Sequence, residues 1–347
     1  MSAPTEQHCW LLKSKPEKAI QPDTFEYVTR PLPELKDGEV LVQVKYISND
    51  PAQRGWMQKD ADPKRLYAPP MNEGEIVRAY GLGTVLKSKS DKVKEGQYWY
   101  GPYGWTDYSV IPADKLLAPA VDLPGMEAAS LSVLGMVSVT AYQGVFEVLD
   151  IKKEHTVVVS GAAGAVGSCV VQLAKNVIGA KRVVGIAGGK EKCDWVKKLG
   201  ADECIDYKEA DWREQLKKAL PEDCDRYYEN VGGDIFNEML GRMKRYGKIG
   251  VCGMIATYND RDNAKYNNFF EVISNRLTIE GFIVIDMMLQ GKYQTAVENL
   301  GKWIKEGKIT TDDKEYIVSA PISKCPEVWQ KLFSGQNRGK LITKVEN

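Results

Sequence analysis

Histidine is almost missing from this chain: 347 residues contain two, His8 and His155. Cysteine is scattered, with seven residues at 9, 169, 193, 204, 224, 252 and 325 and no two closer than eleven positions. No CxxC knuckle can form, and Zn2+ takes clustered Cys and His, so the sequence argues against a zinc site. An odd number of dispersed cysteines points instead to reduced, packed thiols. Charge of one sign is lacking too, since 47 Lys and Arg balance 47 Asp and Glu. That balance gives no pull toward nucleic acid or an anionic membrane, and leaves a small molecule as the expected partner.

Long apolar runs are equally scarce. The segment 156–174 carries no charge over about the length of a membrane span. Three glycines and two serines interrupt it, so it reads as a buried strand followed by a buried helix. The N-terminal "MSAPTEQHCWLLKSKPEK" has no apolar core of signal-peptide length, and "KLITKVEN" carries no lipidation ending. The expectation is a cytoplasmic protein without a membrane segment.

What is present fits a globular chain of two domains, with 43% hydrophobic and 27% charged residues. From about Trp10 to Leu117, runs such as "EVLVQVKYIS" and "TDYSVIPADKLL" alternate with Pro and Gly turns, which predicts a partly open β-barrel. Around "LAPAVDLPGMEAASLSVLGM" the texture becomes Ala- and Leu-rich helix. Beyond it strands alternate with helices: "HTVVVS", then Val166, Val170, Leu173 and Val177 at helical spacing, then "RVVGIA". "KEKCDWVKKLG", "DECIDY", "DWREQLKKAL", "CDRYYENV", "GKIGVCG" and "LTIEGFIV" continue the alternation. This pattern predicts an α/β, doubly wound parallel sheet. The last fifty or so residues, from a helix around Ala296, Leu300 and Trp303, read as a return to the first domain. The expected division is therefore 1–128 with 300–347, and 129–299.

Between the first strand of that sheet and its first helix lies "GAAGAVG" (161–167). Glycine at 164 lets the backbone approach a pyrophosphate, Gly167 lets helix pack close on strand, and the helix N-terminus faces the negative charge. A glycine pattern alone also marks plain turns; the strand-turn-helix context favours a dinucleotide. An NAD site places a carboxylate at the end of the second strand, where it holds the ribose hydroxyl. Here the chain reads "AGGKEK": no acid at 188 or 189, then Lys190 and Lys192. A carboxylate repels a 2′-phosphate and a lysine attracts it, so the expected cofactor is NADP(H).

These residues carry a family resemblance. Ordered segments across the chain, "SNDPAQRGWM" (48–57), "LGMVSVTAYQG" (134–144), "SGAAGAVGS" (160–168), "GKEK" (189–192), "IDYK" (205–208), "YYENVGG" (227–233), "CGMIATYN" (252–259), "IEGFIV" (279–284) and "GQNRGKL" (335–341), resemble the zinc-independent medium-chain dehydrogenase/reductases. The likeness is to the leukotriene dehydrogenase/prostaglandin reductase and alkenal double-bond reductase group. Where zinc-dependent cousins place a Cys ligand followed by Asp, and Gly-His-Glu, this chain has "NDPAQRG" and "NEGEIV".

The resemblance implies a GroES-like catalytic domain built from both chain ends, a Rossmann domain between them, and a homodimer. It implies that Lys192 and Tyr207 flank the adenosine phosphate, and that Gly164, Val166 and Gly167 contact the pyrophosphate. Asn230, Cys252, Phe282, Asn337 and Gly339 line the path toward the nicotinamide. Tyr258 matches a tyrosine near the nicotinamide, and Tyr46 one that faces substrate. Arg54 matches an arginine that fixes its own loop. Taken singly, each of these is as well read as a packing or turn residue.

With no zinc ligand set to polarise a carbonyl, reduction of a conjugated C=C bond is the chemistry easier to assist. Hydride adds to the β carbon, charge moves to the carbonyl oxygen, and the enolate is protonated at the α carbon. Such a reaction needs positioning, a hydrogen bond to the developing oxyanion and a proton source. A phenol of ordinary pKa, about 10, is protonated at neutral pH and can donate, which makes Tyr258 the candidate; solvent water is the competing donor. The expected function is NADPH-dependent reduction of α,β-unsaturated aldehydes and ketones. A zinc-free quinone reductase, an NADP-dependent hydroxy-lipid dehydrogenase and a non-catalytic nucleotide binder are the rivals.

Overall fold

The computed structural model describes residues 4–346. They form two compact units, one ending at Leu131 and resuming at Glu315, the other Ser132–Lys314.

The first unit begins with β1 (Glu6–Leu12) antiparallel to β2 (Phe25–Pro31). β3 (Glu39–Ser48) and the short helix α1 (Ala52–Trp56) follow, then β4 (Gly81–Ser88), β5 (Tyr98–Gly101), β6 (Tyr108–Pro112) and β7 (Ala118–Pro119). β3 organises the larger sheet because it is long enough to serve three partners. Its first half pairs with β6, its C-terminal end pairs with the last strand of the chain, and β4 runs along its other edge. Alternation along β3 sends Val40, Val42 and Val44 into one core with Phe25, Trp105 and Trp329.

The second unit starts with α2 (Met136–Tyr142). It then alternates β8 (Thr156–Ser160), α3 (Ala165–Gln172), β9 (Arg182–Ala187), α4 (Lys190–Lys198), β10 (Glu203–Asp206) and α5 (Trp212–Ala219). β11 (Cys224–Glu229), α6 (Gly233–Leu240), β12 (Met243–Val251), α7 (Glu271–Ser274), β13 (Thr278–Gly281), α8 (Ile285–Leu289) and α9 (Tyr293–Lys305) complete it. The strands form a parallel sheet in the order β10-β9-β8-β11-β12-β13. In β8, Val157 and Val159 enter one core and Val158 the other; in β9, Val183 and Ala187 oppose Val184 and Ile186. Burial on both faces is why these strands read as unbroken β-branched runs rather than as alternating ones. Trp212, Leu216 and Ala219, one face of α5, close the second of these cores.

The chain then returns through β14 (Glu315–Pro321) and β15 (Lys340–Glu346), which pair in parallel; β15 docks antiparallel on β3. This return begins later than residue 300. Ala296 and Leu300 of α9 are fully buried in the second unit, and Trp303 stacks on Tyr142 and Phe146 there. Residues 300–314 therefore belong with the parallel sheet, and the divisions fall after Leu131 and Lys314.

Candidate active site

The glycine loop after β8 is shaped by three separate demands. Gly161 sits at φ +58°, in the left-handed region that L side chains rarely adopt. Gly164 is the N-cap of α3, its amide donating to the Gly161 carbonyl at 2.9 Å. At Gly167 a Cβ would stand 2.3 Å from the Gly161 oxygen and 2.9 Å from the Ala162 Cα, so the helix seats this closely only on glycine. Val166 lies half-buried between them. The opening amides of α3 have no carbonyl one turn back to bind, and together with the helix dipole they form an anion cradle.

The second cradle forms where β9 and β10 end side by side. Gly188 has no side chain because the Tyr207 ring fills the space: a Cβ there would be 2.7 Å from the Tyr207 hydroxyl. Gly189 takes φ +100° and donates its amide to Asp206 Oδ1 at 2.7 Å. The same oxygen accepts the Lys208 amide at 3.0 Å, so the Asp206 carboxylate is engaged by backbone donors. Lys192, half-buried in the first turn of α4, has its pKa lowered, first by burial and then by the Lys208 ammonium. A half-buried lysine with a second, exposed lysine across from it is a setting that a phosphate dianion would relieve. Lys190 differs: it is exposed and pairs with Asp194 at 2.5 Å. Composition alone treated the two lysines alike, the resemblance singled out Lys192, and neither pointed to Lys208, although it lies in the "IDYK" segment.

Strand order reverses between β8 and β11, and in open α/β sheets the carboxyl ends at such a reversal flank the ligand crevice. β8 ends at Ser160 and β11 at Glu229. Glu229 is wholly buried, and sequence reasoning overlooked it. Its carboxylate accepts from the Tyr227 hydroxyl, from Ser160 Oγ at 3.2 Å, from the Val231 amide and from the Gly232 amide at 2.6 Å. Burial raises its pKa while these donors pull the other way. The clamp fixes Asn230, whose amide donates to Ser160 Oγ at 2.9 Å and whose Nδ2 donates to the Ser160 carbonyl at 2.8 Å.

Beyond β12 the same rim carries Cys252, whose amide donates to the Glu229 carbonyl at 2.9 Å. Burial pushes its thiol up to about 12, which leaves it protonated at neutral pH and no nucleophile. Phe282 packs edge-on against Tyr228 with ring centres 5.8 Å apart, in space that exists because residue 144 is glycine: a Cβ there would be 2.3 Å from Tyr228 and 2.7 Å from Phe282. Tyr258 follows a single turn, Ile255–Thr257, and its hydroxyl receives the Met254 amide at 3.2 Å. A donor into a phenol oxygen stabilises the charge that develops there when its proton moves.

Tyr46, Asn337 and Gly339 stand in the first unit. The Tyr46 hydroxyl donates to Glu127 at 2.6 Å, Lys344 binds the same carboxylate at 2.5 Å, and the Lys344 ammonium lies over the Tyr46 ring. Burial, then the Glu127 bond, raises the pKa of this phenol. Its proton is thus directed at a carboxylate. Asn337 Nδ2 donates to the Gly339 carbonyl at 3.1 Å, and Gly339 adopts φ +66°. The next residue, Lys340, anchors the "SNDP" loop from below, donating to the Asn49 carbonyl at 2.8 Å and to Asp50 at 2.5 Å. Arg54 is fully buried and donates to the Lys18 carbonyl at 2.6 Å, a loop-fixing role. Among the described residues no three His, Cys, Asp or Glu gather as metal ligands, and no helix is long and apolar enough to cross a membrane.

Two family profiles match the chain: one described as the N-terminal domain of oxidoreductase over 8–118, the other as zinc-binding dehydrogenase over 165–302. The chain is 35% identical to bovine (Bos taurus) prostaglandin reductase 1, an alignment covering 97% of this chain and 98% of the relative. It is 39% identical to the NADP(+)-dependent 2-alkenal reductase of Nicotiana tabacum, over 88% of this chain and 87% of the other. Among solved structures, CurA from Vibrio vulnificus in complex with NADPH superimposes with a TM-score of 0.88 at 31% identity, covering 98% of this chain and 99% of CurA.

Proposed function

The chain belongs to the zinc-independent medium-chain dehydrogenase/reductases, in the group of prostaglandin, curcumin and alkenal reductases, and from that premise we propose how its residues serve the reaction. It is an NADPH-dependent reductase of the C=C bond of α,β-unsaturated aldehydes and ketones. When bound, NADPH supplies the hydride that reaches the β carbon.

The chain's own part begins with holding that cofactor. The α3 amides around Gly164, Val166 and Gly167 hold the pyrophosphate. Lys192, Tyr207 and Lys208 hold the 2′-phosphate; the absence of an acid at 188 and 189, the two lysines, and the likeness to an NADP(+)-dependent reductase and an NADPH complex support NADPH over NADH. Asn230, Cys252 and Phe282 line the nicotinamide end. Cys252 serves there as a packed, protonated thiol.

Negative charge then appears on the substrate carbonyl oxygen and a proton must reach the α carbon. Tyr258 donates to that oxygen or relays the proton, and the Met254 amide at its hydroxyl steadies the charge left behind. Tyr46, with its proton held by Glu127, shapes the substrate side rather than acting as an acid. The protein works in the cytoplasm as a homodimer.

Tyr258→Phe tests the assignment. With a saturating enone, turnover falls by about a hundredfold while the KM for NADPH stays within a few-fold. Unchanged turnover removes the phenol from the chemistry and leaves water as the donor.

A further inference from the structure

Two cysteines meet beside the phosphate corner. Cys193 lies in the first turn of α4, next to Lys192, and Cys204 lies in β10, just before Asp206, Tyr207 and Lys208. Their side chains are hydrogen-bonded to each other. Both rest on β9: Cys193 Sγ points at the Ala187 carbonyl, 3.9 Å away, and Cys204 pairs in register with Gly185. Gly185 leaves room for the Cys204 sulfur, because a Cβ there would be 3.2 Å from Cys204 Sγ and 2.7 Å from Val196.

We propose that Cys193 and Cys204 are a reversible oxidation site that closes to a disulfide under hydroperoxide and thereby weakens NADPH binding. The proposal rests on the reading of Lys192, Tyr207 and Lys208 as the 2′-phosphate site. The pair joins the two walls of that site, since Lys192 rides on α4 and Tyr207 and Lys208 on the turn that follows β10. Replacing a hydrogen-bonded contact by a covalent bond draws the first turn of α4 toward β10 and carries Lys192 out of place.

The step balances with a hydroperoxide as the named oxidant. The Cys193 sulfur attacks a peroxide oxygen, the O–O bond breaks, and water leaves with a sulfenic acid behind. The Cys204 sulfur then attacks the Cys193 sulfur, the S–O bond breaks and a second water departs. Two thiols and one H2O2 become one disulfide and two waters. Chemistry favours this pair over the other cysteines. The Cys204 thiol donates to Cys193 and lowers its pKa against the opposing effect of burial, which makes Cys193 the attacking sulfur; Cys204, as the donor, is raised, and Cys9, Cys169, Cys224, Cys252 and Cys325 are raised by burial.

The test treats the full-length, cofactor-free enzyme with H2O2, maps disulfides by mass spectrometry after alkylation, and titrates NADPH and NADH. A Cys193–Cys204 linkage forms, the Kd for NADPH rises about tenfold while that for NADH is unmoved, and dithiothreitol reverses both. Cys193→Ser and Cys204→Ser each keep NADPH affinity after peroxide. Separate thiols or sulfinic acids at these positions overturn the proposal, as does a disulfide that leaves NADPH affinity unchanged. Lys192→Ala in the reduced enzyme tells the two readings apart. If it binds NADPH as tightly as the parent chain, the phosphate assignment itself is wrong, whatever the sulfurs do.

Discussion

At the scale of single residues, environment separates side chains that look alike in sequence. Lys190 and Lys192 are two positions apart, yet one is paired with Asp194 in solvent and the other is half-buried beside Lys208. Lys314 is the extreme case. It is buried, its Nζ lies 5.0 Å over the Trp195 ring and donates to the Ser168 carbonyl at 3.3 Å, and burial brings its pKa down from 10.5 to about 7. Between pH 7 and 10.5 the unfolded chain keeps a proton that the folded chain has released, so stability gained from this group rises with pH; below 7 both states are protonated and the slope vanishes. Denaturant unfolding of the parent chain minus Lys314→Met therefore shifts in favour of the parent by about 1.4 kcal/mol per pH unit from pH 7.5 to 9.5. Parallel curves for the two proteins contradict a neutral buried Lys314.

Legibility at this scale followed local chemistry. The missing acid at 188–189 and the added base at 192 could be read because they adjoin one strand end. Lys208 and Glu229 could not, because their roles depend on β10 ending beside β9 and on β11 lying beside β8, which only the folded sheet creates. The Tyr46 hydroxyl is another such case: its acceptor is Glu127, eighty-one residues away.

At the scale of elements, the β8–loop–α3 unit was readable because its periodicities are strong: a buried β-branched run, glycines at fixed spacing, then apolar residues at helical intervals. The glycines nevertheless do different work, and substitution separates them. Gly167→Ala drives a Cβ into the backbone of Gly161 and Ala162, which cannot yield as a side chain can. It costs about 1–3 kcal/mol of stability and loosens NADPH. Gly164→Ala meets only the Gly161 oxygen, at 3.2 Å, so its effect falls on cofactor affinity more than on stability. Denaturant unfolding with NADPH titration checks both; parent-like values for Gly167→Ala would refute the close helix seat. The boundary near α9 was less legible, since Ala296, Leu300 and Trp303 announce an amphipathic helix without saying which core receives it.

At the scale of the whole molecule, β13 ends the parallel sheet with Thr278, Glu280 and Gly281 exposed, an edge open to a second strand. Phe270 and Ile273, 70% and 69% exposed just before it, add apolar surface. Sedimentation equilibrium is expected to return twice the chain mass; the mass of one chain contradicts the homodimer. The central claim concerns the reaction, and one measurement meets it directly: oxidation of NADPH carrying deuterium at the transferable position in the presence of a medium-chain 2-alkenal, with the product identified by mass spectrometry and NMR. The account predicts a saturated aldehyde with deuterium on the β carbon. An allylic alcohol, or bound NADPH that is never consumed, contradicts it.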